Sequence, residues 1–319
     1  MELGTQYSHA NLTPLATRNS QPATRNQSHP SMTTQRLDHL RSSRREHALQ
    51  RGMNPRDVDL LLSDLLGQSV GYLYAHGDLM VDSFKLDALL ARRYAGEPLQ
   101  YIRGHTEFYS REFLVDPRVL IPRPETELLV EAALQRAPPG GRVIDIGTGS
   151  GCIGISIERE RSDLHVFAVD RSVAALAVAS TNRTRLASHV RLAASDLLSS
   201  IRDTFDVIVS NPPYVPLGEY EQLTVEVRIH EPIMALTPGP RGTEIIERLL
   251  DEAHARLAPG GTILLEVGYG QEEAIRTLVA AKRYHLDAFL PDLAGIPRVV
   301  VLSADAEPRS VPLLPHRLR

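Results

Sequence analysis

The chain has 319 residues, 42% of them hydrophobic and 23% charged, with a formal net charge of −4. These values suit a soluble globular protein of two domains. They weigh against a protein built on non-specific nucleic-acid binding, which carries a broad basic surface. A single cysteine, Cys152, excludes an internal disulfide; with no clustered histidines it also argues against a structural zinc site, and no metal is expected. The lone thiol fits a reducing compartment, so a cytoplasmic location is expected. No apolar run approaches the roughly 20 residues that span a bilayer, and no membrane partner is expected.

In chain order, residues 1–36 are rich in Ser, Thr, Asn, Gln and Arg and nearly free of acids. They are expected to form a disordered tail, with an organelle-targeting segment as the alternative. Residues 37–104 read as a helical domain. Val58, Leu61, Leu62, Leu65 and Leu66 share one helical face, Leu86, Leu89, Leu90 and Tyr94 another, and Asn54-Pro55 and Asp82-Ser83 mark helix starts. Arg41, Arg44, Arg45 and Arg51 make a basic face, either simply solvated or a docking surface for an acidic partner. Residues 105–124 read as a hairpin linker: Phe108, Phe113, Val115 and Val119 alternate, and Pro122 and Pro124 then block both helix and central strand.

Residues 125–304 begin with a helix at Glu125 and then alternate strand and helix, the mark of a mostly parallel sheet covered on both faces. Seven strands are expected: Arg142–Ile146, His165–Val169, Val190–Ala193, Phe205–Val209, Thr262–Val267, His285–Leu290 and Pro297–Leu302. Helices are expected at Ser172–Leu186 and Gly242–Leu257. The loop before the last strand is too short for a parallel crossover, so that strand should be antiparallel. Residues 305–319 read as a loose tail.

The first strand runs into Gly147-Thr148-Gly149-Ser150-Gly151. Glycines there let the backbone approach a ligand closely. Gly149, Gly151 and Gly154 also satisfy a dinucleotide fingerprint, so NAD has to be weighed. Asp145 favours S-adenosylmethionine instead, because a carboxylate repels a pyrophosphate but accepts a sulfonium or an ammonium cation. Asp170, at the end of the next strand, is placed to receive ribose hydroxyls, and it could also cap the following helix. Asp196 and Leu197, after the third strand, should edge the adenine. Cys152 reads as a small packing residue.

The most specific signal is Asn211-Pro212-Pro213-Tyr214 at the end of the fourth strand. Two prolines stiffen the backbone and remove two donors. There remain an amide side chain at Asn211, a rigid carbonyl at Pro212 and an aromatic plane at Tyr214, a set that matches a planar NH2 group. Its two hydrogens would be held by the Asn211 oxygen and the Pro212 carbonyl, with Tyr214 stacked on the flat face. The nitrogen would then be aimed at the methyl group for in-line displacement. Glutamine, adenine and cytosine all offer such a group, and a non-catalytic binding protein would be expected to lack Asn211 or Tyr214.

These residues resemble the HemK/PrmC family, the protein-(glutamine-N5) methyltransferases of peptide chain release factors. The likeness runs from about Tyr94 to Leu302. It includes Glu97–Ile102 with Gly104, Thr106-Glu107-Phe108, Leu120–Glu127, Asp145–Gly151, Ser210–Tyr214, Glu226-Val227, Glu231-Pro232, Ala235-Leu236 and Pro259-Gly260-Gly261. The segment Ile121-Pro122-Arg123-Pro124-Glu125-Thr126-Glu127 separates it from DNA adenine methyltransferases, which share only the Asn-Pro-Pro-Tyr run.

The resemblance implies a seven-stranded Rossmann-like domain behind a helical domain that docks substrate, with the glutamine of a Gly-Gly-Gln motif as target. It assigns S-adenosylmethionine contacts to Gly147, Thr148, Gly149, Ser150, Gly151, Asp170, Asp196, Leu197 and Asn211, and substrate contacts to Asn211, Pro212, Pro213 and Tyr214. The expected partner is a release factor acted on by a monomer, with an adenine-type amine in nucleic acid as the alternative target. Two positions depart from the family pattern: Arg241 stands where relatives place an acid, and Arg298 lacks an acid directly before it.

Overall fold

The computed structural model describes residues 34–282 and 284–304. The expectations for residues 1–33 and 305–319 lie outside that range. The described chain starts with a strand, β1 (Thr34–Arg36), inside the segment expected to be a tail. It pairs antiparallel with β2 (Met80–Asp82), so the helical domain carries a small two-stranded sheet that sequence periodicity did not reveal. Three residues are too few for an alternating pattern to register. Around this ribbon pack α1 (Leu37–Gln50), α2 (Arg56–Leu66), α3 (Val70–Ala75), α4 (Ser83–Tyr94) and α5 (Leu99–Arg103). Leu37, Leu40, Val58, Leu61, Leu73, Leu86 and Leu90 form their common core. Asp82 caps α4 by accepting the Phe84 N–H, as the Asp82-Ser83 signal suggested.

The basic face of α1 is turned inward electrostatically. Arg41 and Arg45 both pair with the buried Asp59, and Arg44 pairs with Asp87 at 2.6 Å. Arg51 lies 4.7 Å above the Tyr94 ring. These arginines hold helices together, which leaves little charge for a docking surface.

The hairpin follows, with β3 (His105–Phe108) antiparallel to β4 (Arg111–Leu114). Its turn residues Tyr109 and Ser110 both have positive φ, 49° and 56°. The Glu127 carboxylate stabilises that turn by accepting the Tyr109 N–H at 2.7 Å. The helix expected from Glu125 opens as a short 3-10 turn, Pro124–Thr126, and becomes α6 at Glu127–Arg136.

The rest of the described chain is built on a seven-stranded sheet. Its elements are β5 (Arg142–Ile146), α7 (Cys152–Glu160), β6 (His165–Asp170), α8 (Val173–Arg185), β7 (Arg191–Ala194) and β8 (Phe205–Ser210). They continue with α9 (Val225–His230), α10 (Glu244–Ala253), β9 (Leu257–Glu266), α11 (Glu272–Ala280), β10 (Tyr284–Pro291) and β11 (Pro297–Ala304). All seven expected strands are present, within a few residues at each end. The largest difference is β9, which starts five residues early through Pro259-Gly260-Gly261. The helix expected over Gly242–Leu257 is correspondingly shorter. The strand order is β10-β11-β9-β8-β5-β6-β7. β5 to β9 run parallel, and β11 is antiparallel to both neighbours.

Alternate residues of the central strands enter opposite cores. Val143, Val207, Val209 and Leu264 pack with α6, α7 and the hairpin, whereas Ile144, Ile146, Ile208 and Leu265 pack with α10 and α11. That division explains why these strands read as continuous apolar runs.

One buried side chain ties the hairpin to the glycine loop. Asn182 of α8 accepts the Leu114 N–H at 2.7 Å, and its Nδ2 donates to the carbonyls of Leu114 and Ser150 at 3.0 and 2.9 Å. Removing it leaves three backbone groups unpaired. Asn182→Ala should therefore lower unfolding stability by about 2–4 kcal/mol, measured by urea denaturation. A loss under about 1 kcal/mol would show that water replaces those bonds at little cost.

Candidate functional site

The chain leaves β5, builds β6 and β7 to one side, and returns to place β8 on the other. The order reverses between β5 and β8, and such a switch point opens a crevice outside the strand ends. Ile146 and Ser210 are register partners there, and the Ser210 hydroxyl donates to the Ile146 carbonyl at 2.7 Å. The next residues on each strand, Gly147 and Asn211, therefore sit side by side at one cavity. Its walls include Gly147, Thr148, Gly149, Ser150, Asp170, Asp196, Leu197, Asn211, Pro212 and Pro213.

The glycine loop is held by its neighbours. The Gly147 and Thr148 N–H groups both donate to the Val169 carbonyl at 2.9 and 3.0 Å, and the Gly151 N–H donates to the Thr148 carbonyl at 2.8 Å. Gly147, Gly149 and Gly151 have φ of +71°, +55° and +86°, so side chains would strain this turn. Around Gly147 and Gly149 the space a Cβ would enter is open. Gly151 instead faces Ile155 and Ala179, so its lack of a side chain serves packing.

Asp170 ends β6 and is nearly buried. Its Oδ2 accepts the Gly149 N–H at 2.9 Å and its Oδ1 accepts the Ser172 N–H at 2.8 Å. It thus holds the residue before α8 and braces the glycine loop while facing the cavity, with lone pairs remaining on both oxygens; the cap of α8 is Ser172, whose hydroxyl accepts the Ala175 N–H at 3.1 Å. Asp196 is half-exposed and pairs with Arg248 at 3.0 Å. Leu197 has φ +50°, borders the cavity and packs against the core beneath the sheet.

Asp145 differs from expectation. It is fully buried and absent from the cavity walls. Its Oδ2 accepts the Thr148 hydroxyl at 2.6 Å and the Gly154 N–H at 3.0 Å, and its Oδ1 has no partner. It therefore braces the loop from behind and offers no acceptor to a ligand cation. Cys152 is a buried free thiol, pushed up to about 12 by that burial, and serves packing as expected.

At the other rim, Pro212 and Pro213 line the cavity and Tyr214 does not. The Tyr214 ring packs beside Gly268, and its hydroxyl donates to Glu266 Oε1 at 3.4 Å. Its carbonyl accepts Gln271 Nε2 at 2.9 Å. The stacking plane expected from Tyr214 thus lies behind the wall. Asn211 Nδ2 donates to the Thr126 hydroxyl at 3.1 Å, and that hydroxyl donates to Glu266 Oε2 at 2.7 Å. Burial pushes Glu266 up to about 7 despite its bonds from Thr126 and Tyr214.

Thr126, Glu266 and Gln271 carried no assigned role at the sequence level. A charged residue inside Ile263-Leu264-Leu265-Glu266-Val267, at the end of a central strand, was the signal that marks Glu266. The two family departures find partners nearby. Arg298 pairs with Asp292 at 3.0 Å across the β10–β11 turn, and Arg241 pairs with Glu247 at 2.6 Å. Among the described residues no cluster of His, Cys, Asp and Glu could hold a metal.

Comparison with known proteins adds the following. Residues 124–241 match the methyltransferase small domain, and residues 41–104 match the PrmC N-terminal domain. Three relatives are named release factor glutamine methyltransferase. The protein from Koribacter versatilis is 45% identical over 256 residues, covering 78% of this chain and 91% of the relative. That from Geobacter sulfurreducens is 40% identical, with 76% and 87% covered. That from Neisseria gonorrhoeae is 43% identical, with 70% and 84% covered.

Burial pushes Asp145 up to about 7, against the opposing hydrogen bonds from Thr148 and Gly154. An unfolded aspartate titrates near ~3.9, so between these values the folded state holds the extra proton. Its contribution to stability is then present at low pH and lost as pH rises through 7. Asp145→Asn keeps an oxygen for Thr148 and Gly154 without the charge. Relative to the wild type, the variant should gain stability from pH 5 to pH 8 in urea titrations of the ligand-free protein. An offset equal at both pH values would contradict the raised pKa.

Proposed function

The chain belongs to the release factor glutamine methyltransferase family, and from that premise we propose that the β5–β8 cavity transfers a methyl group to a glutamine side-chain nitrogen held at Asn211 and Pro212. The enzyme uses S-adenosylmethionine and methylates release factor glutamine. The observation that carries the site assignment is the pairing of Ile146 with Ser210, which puts the glycine loop and Asn211 at one opening.

The residues present fit the methyl donor. Open space above Gly147 and Gly149 admits a ligand against bare backbone. Asp170 keeps acceptor capacity toward the cavity for a ribose diol. Asp196 and Leu197 border the same opening, where an adenine edge would lie. S-adenosylmethionine supplies an electrophilic methyl group on a sulfonium, and the protein's task is positioning. An amide nitrogen is a weak nucleophile because its lone pair is delocalised. Two fixed acceptors, Asn211 Oδ1 and the Pro212 carbonyl, would hold its hydrogens and orient it without reorganising during reaction. The positive charge that develops on nitrogen makes its proton acidic, so no dedicated strong base is required.

A protein substrate suits the surface near the opening. Met234 lines the cavity, and Leu217, Ile229 and Ile233 of the same segment are exposed. Exposed apolar side chains are suited to a protein surface and poorly suited to phosphates. The nucleic-acid alternative gains nothing from the three relatives described above, each of which carries release factor in its name. No helix among the described residues is long and apolar enough to cross a membrane. We infer a cytoplasmic location from the substrate.

Two variants test the assignment. Asn211→Ala should reduce turnover on release factor by on the order of a hundredfold, the effect of losing a positioned polar group at a reacting centre. Its affinity for S-adenosylmethionine should stay close to that of the wild type; a fall in turnover below about threefold would remove Asn211 from the reaction. Asp170→Ala should weaken S-adenosylmethionine binding by about 1.5–3 kcal/mol in calorimetry, through loss of hydrogen bonds to a charged acceptor. Unchanged affinity in a folded variant would exclude Asp170 from the ribose site.

A further inference from the structure

Three side chains from separate elements meet in one line at the cavity, Asn211 and Thr126 in its wall and Glu266 behind them. Thr126 ends the 3-10 turn after the hairpin, Glu266 ends β9, and Asn211 follows β8. Thr126 and Glu266 are each only 2% exposed. Asn211 Nδ2 donates to Thr126 Oγ1 at 3.1 Å, and Thr126 Oγ1 donates to Glu266 Oε2 at 2.7 Å. On the same carboxylate, Oε1 accepts the Tyr214 hydroxyl.

Hydrogen-bond bookkeeping gives this line a direction. A threonine hydroxyl has one proton, and an asparagine amide has a donor end and an acceptor end. An ionised carboxylate only accepts, so it claims the Thr126 proton. The Thr126 lone pairs then face Asn211 and require its Nδ2. Oδ1 is left as the branch that faces away from Thr126. We infer that Glu266 and Thr126 form a positioning relay that fixes which end of the Asn211 amide meets the substrate nitrogen. The inference rests on the role proposed above for Asn211. Without the relay, Asn211 can present Nδ2 to a substrate NH2, donor against donor.

The same line couples orientation to charge. The groups facing Glu266 are Thr126, Tyr214, Arg298 and Glu125, with the Cys152 thiol close enough to feel its charge. Arg298 is itself engaged by Asp292. Burial pushes Glu266 up to about 7, so its charge changes in the neutral range. A protonated Oε2 donates to Thr126, the hydroxyl proton turns toward Asn211, and the amide is asked to present Oδ1 to Thr126. Turnover should then fall as pH drops below 7.

The test compares Thr126→Val, Thr126→Ser, Glu266→Gln and Asn211→Ala in the full-length protein with purified release factor. Thr126→Val keeps the shape and removes the hydroxyl. It should lower kcat roughly tenfold, the rate equivalent of one lost hydrogen bond. KM for release factor and the calorimetric affinity for S-adenosylmethionine should stay within about twofold. Thr126→Ser should restore most of the turnover. Glu266→Gln should abolish the acid limb of the kcat profile, since an amide does not titrate there. Thr126→Val turning over within about twofold of the wild type, with Asn211→Ala inactive, would overturn the relay and leave the site assignment standing. An active Asn211→Ala would instead defeat the assignment beneath it. Should Thr126→Val fail to fold, an acid limb that persists in Glu266→Gln overturns the relay by itself.

Discussion

Ile146 and Ser210 lie side by side on neighbouring parallel strands, joined by the Ser210 hydroxyl at 2.7 Å from the Ile146 carbonyl. The pairing fixes where each strand ends. One residue further along, the β5 chain must turn through glycines and the β8 chain enters Asn211-Pro212-Pro213-Tyr214. A slip of two residues in this register would separate the loop from the amide by a full strand repeat, roughly 6–7 Å. The fold therefore sets the distance between the glycine loop and the Asn211 amide before any side chain contributes.

Buried polar groups then make both rims rigid. Asp145 and Asn182 brace the glycine loop from behind, and Asp170 holds it from the side. Glu266, Thr126 and Gln271 hold the other rim. Two of these acids are buried deeply enough to titrate near 7, so the ionised forms carry a desolvation cost. A carboxylate is a strong acceptor for backbone and hydroxyl donors, and the rigidity it confers offsets that cost at a site proposed to work by positioning. The helical domain is stabilised in a similar way, through arginines paired to Asp57, Asp59 and Asp87 and packed on Tyr74 and Tyr94.

Much of this was legible in the sequence, for physical reasons. Buried parallel strands read as apolar runs, the glycine loop and the paired prolines have few structural meanings, and Asp170 falls at a fixed distance past the loop. Side-chain direction was less legible. Asp145 and Tyr214 were read as facing the ligands, and both turn away, one into the core behind the loop and one toward Glu266. Pairing between distant residues was not legible at all. Nothing local in Arg41 or Arg45 announces that Asp59 neutralises them, and nothing in Thr126 announces contact with residues 85 and 140 positions away. The β1–β2 ribbon escaped for the same reason, since its strands are 44 residues or more apart and three residues long.

The most direct test of the account is mass spectrometry of intact release factor after incubation with this protein and S-adenosylmethionine. The account predicts a single added methyl, located by fragmentation on the glutamine of the Gly-Gly-Gln motif. It also predicts no methylation when that glutamine is replaced by alanine. Release factor left unmodified under conditions where duplex DNA or RNA acquires the methyl group would contradict it.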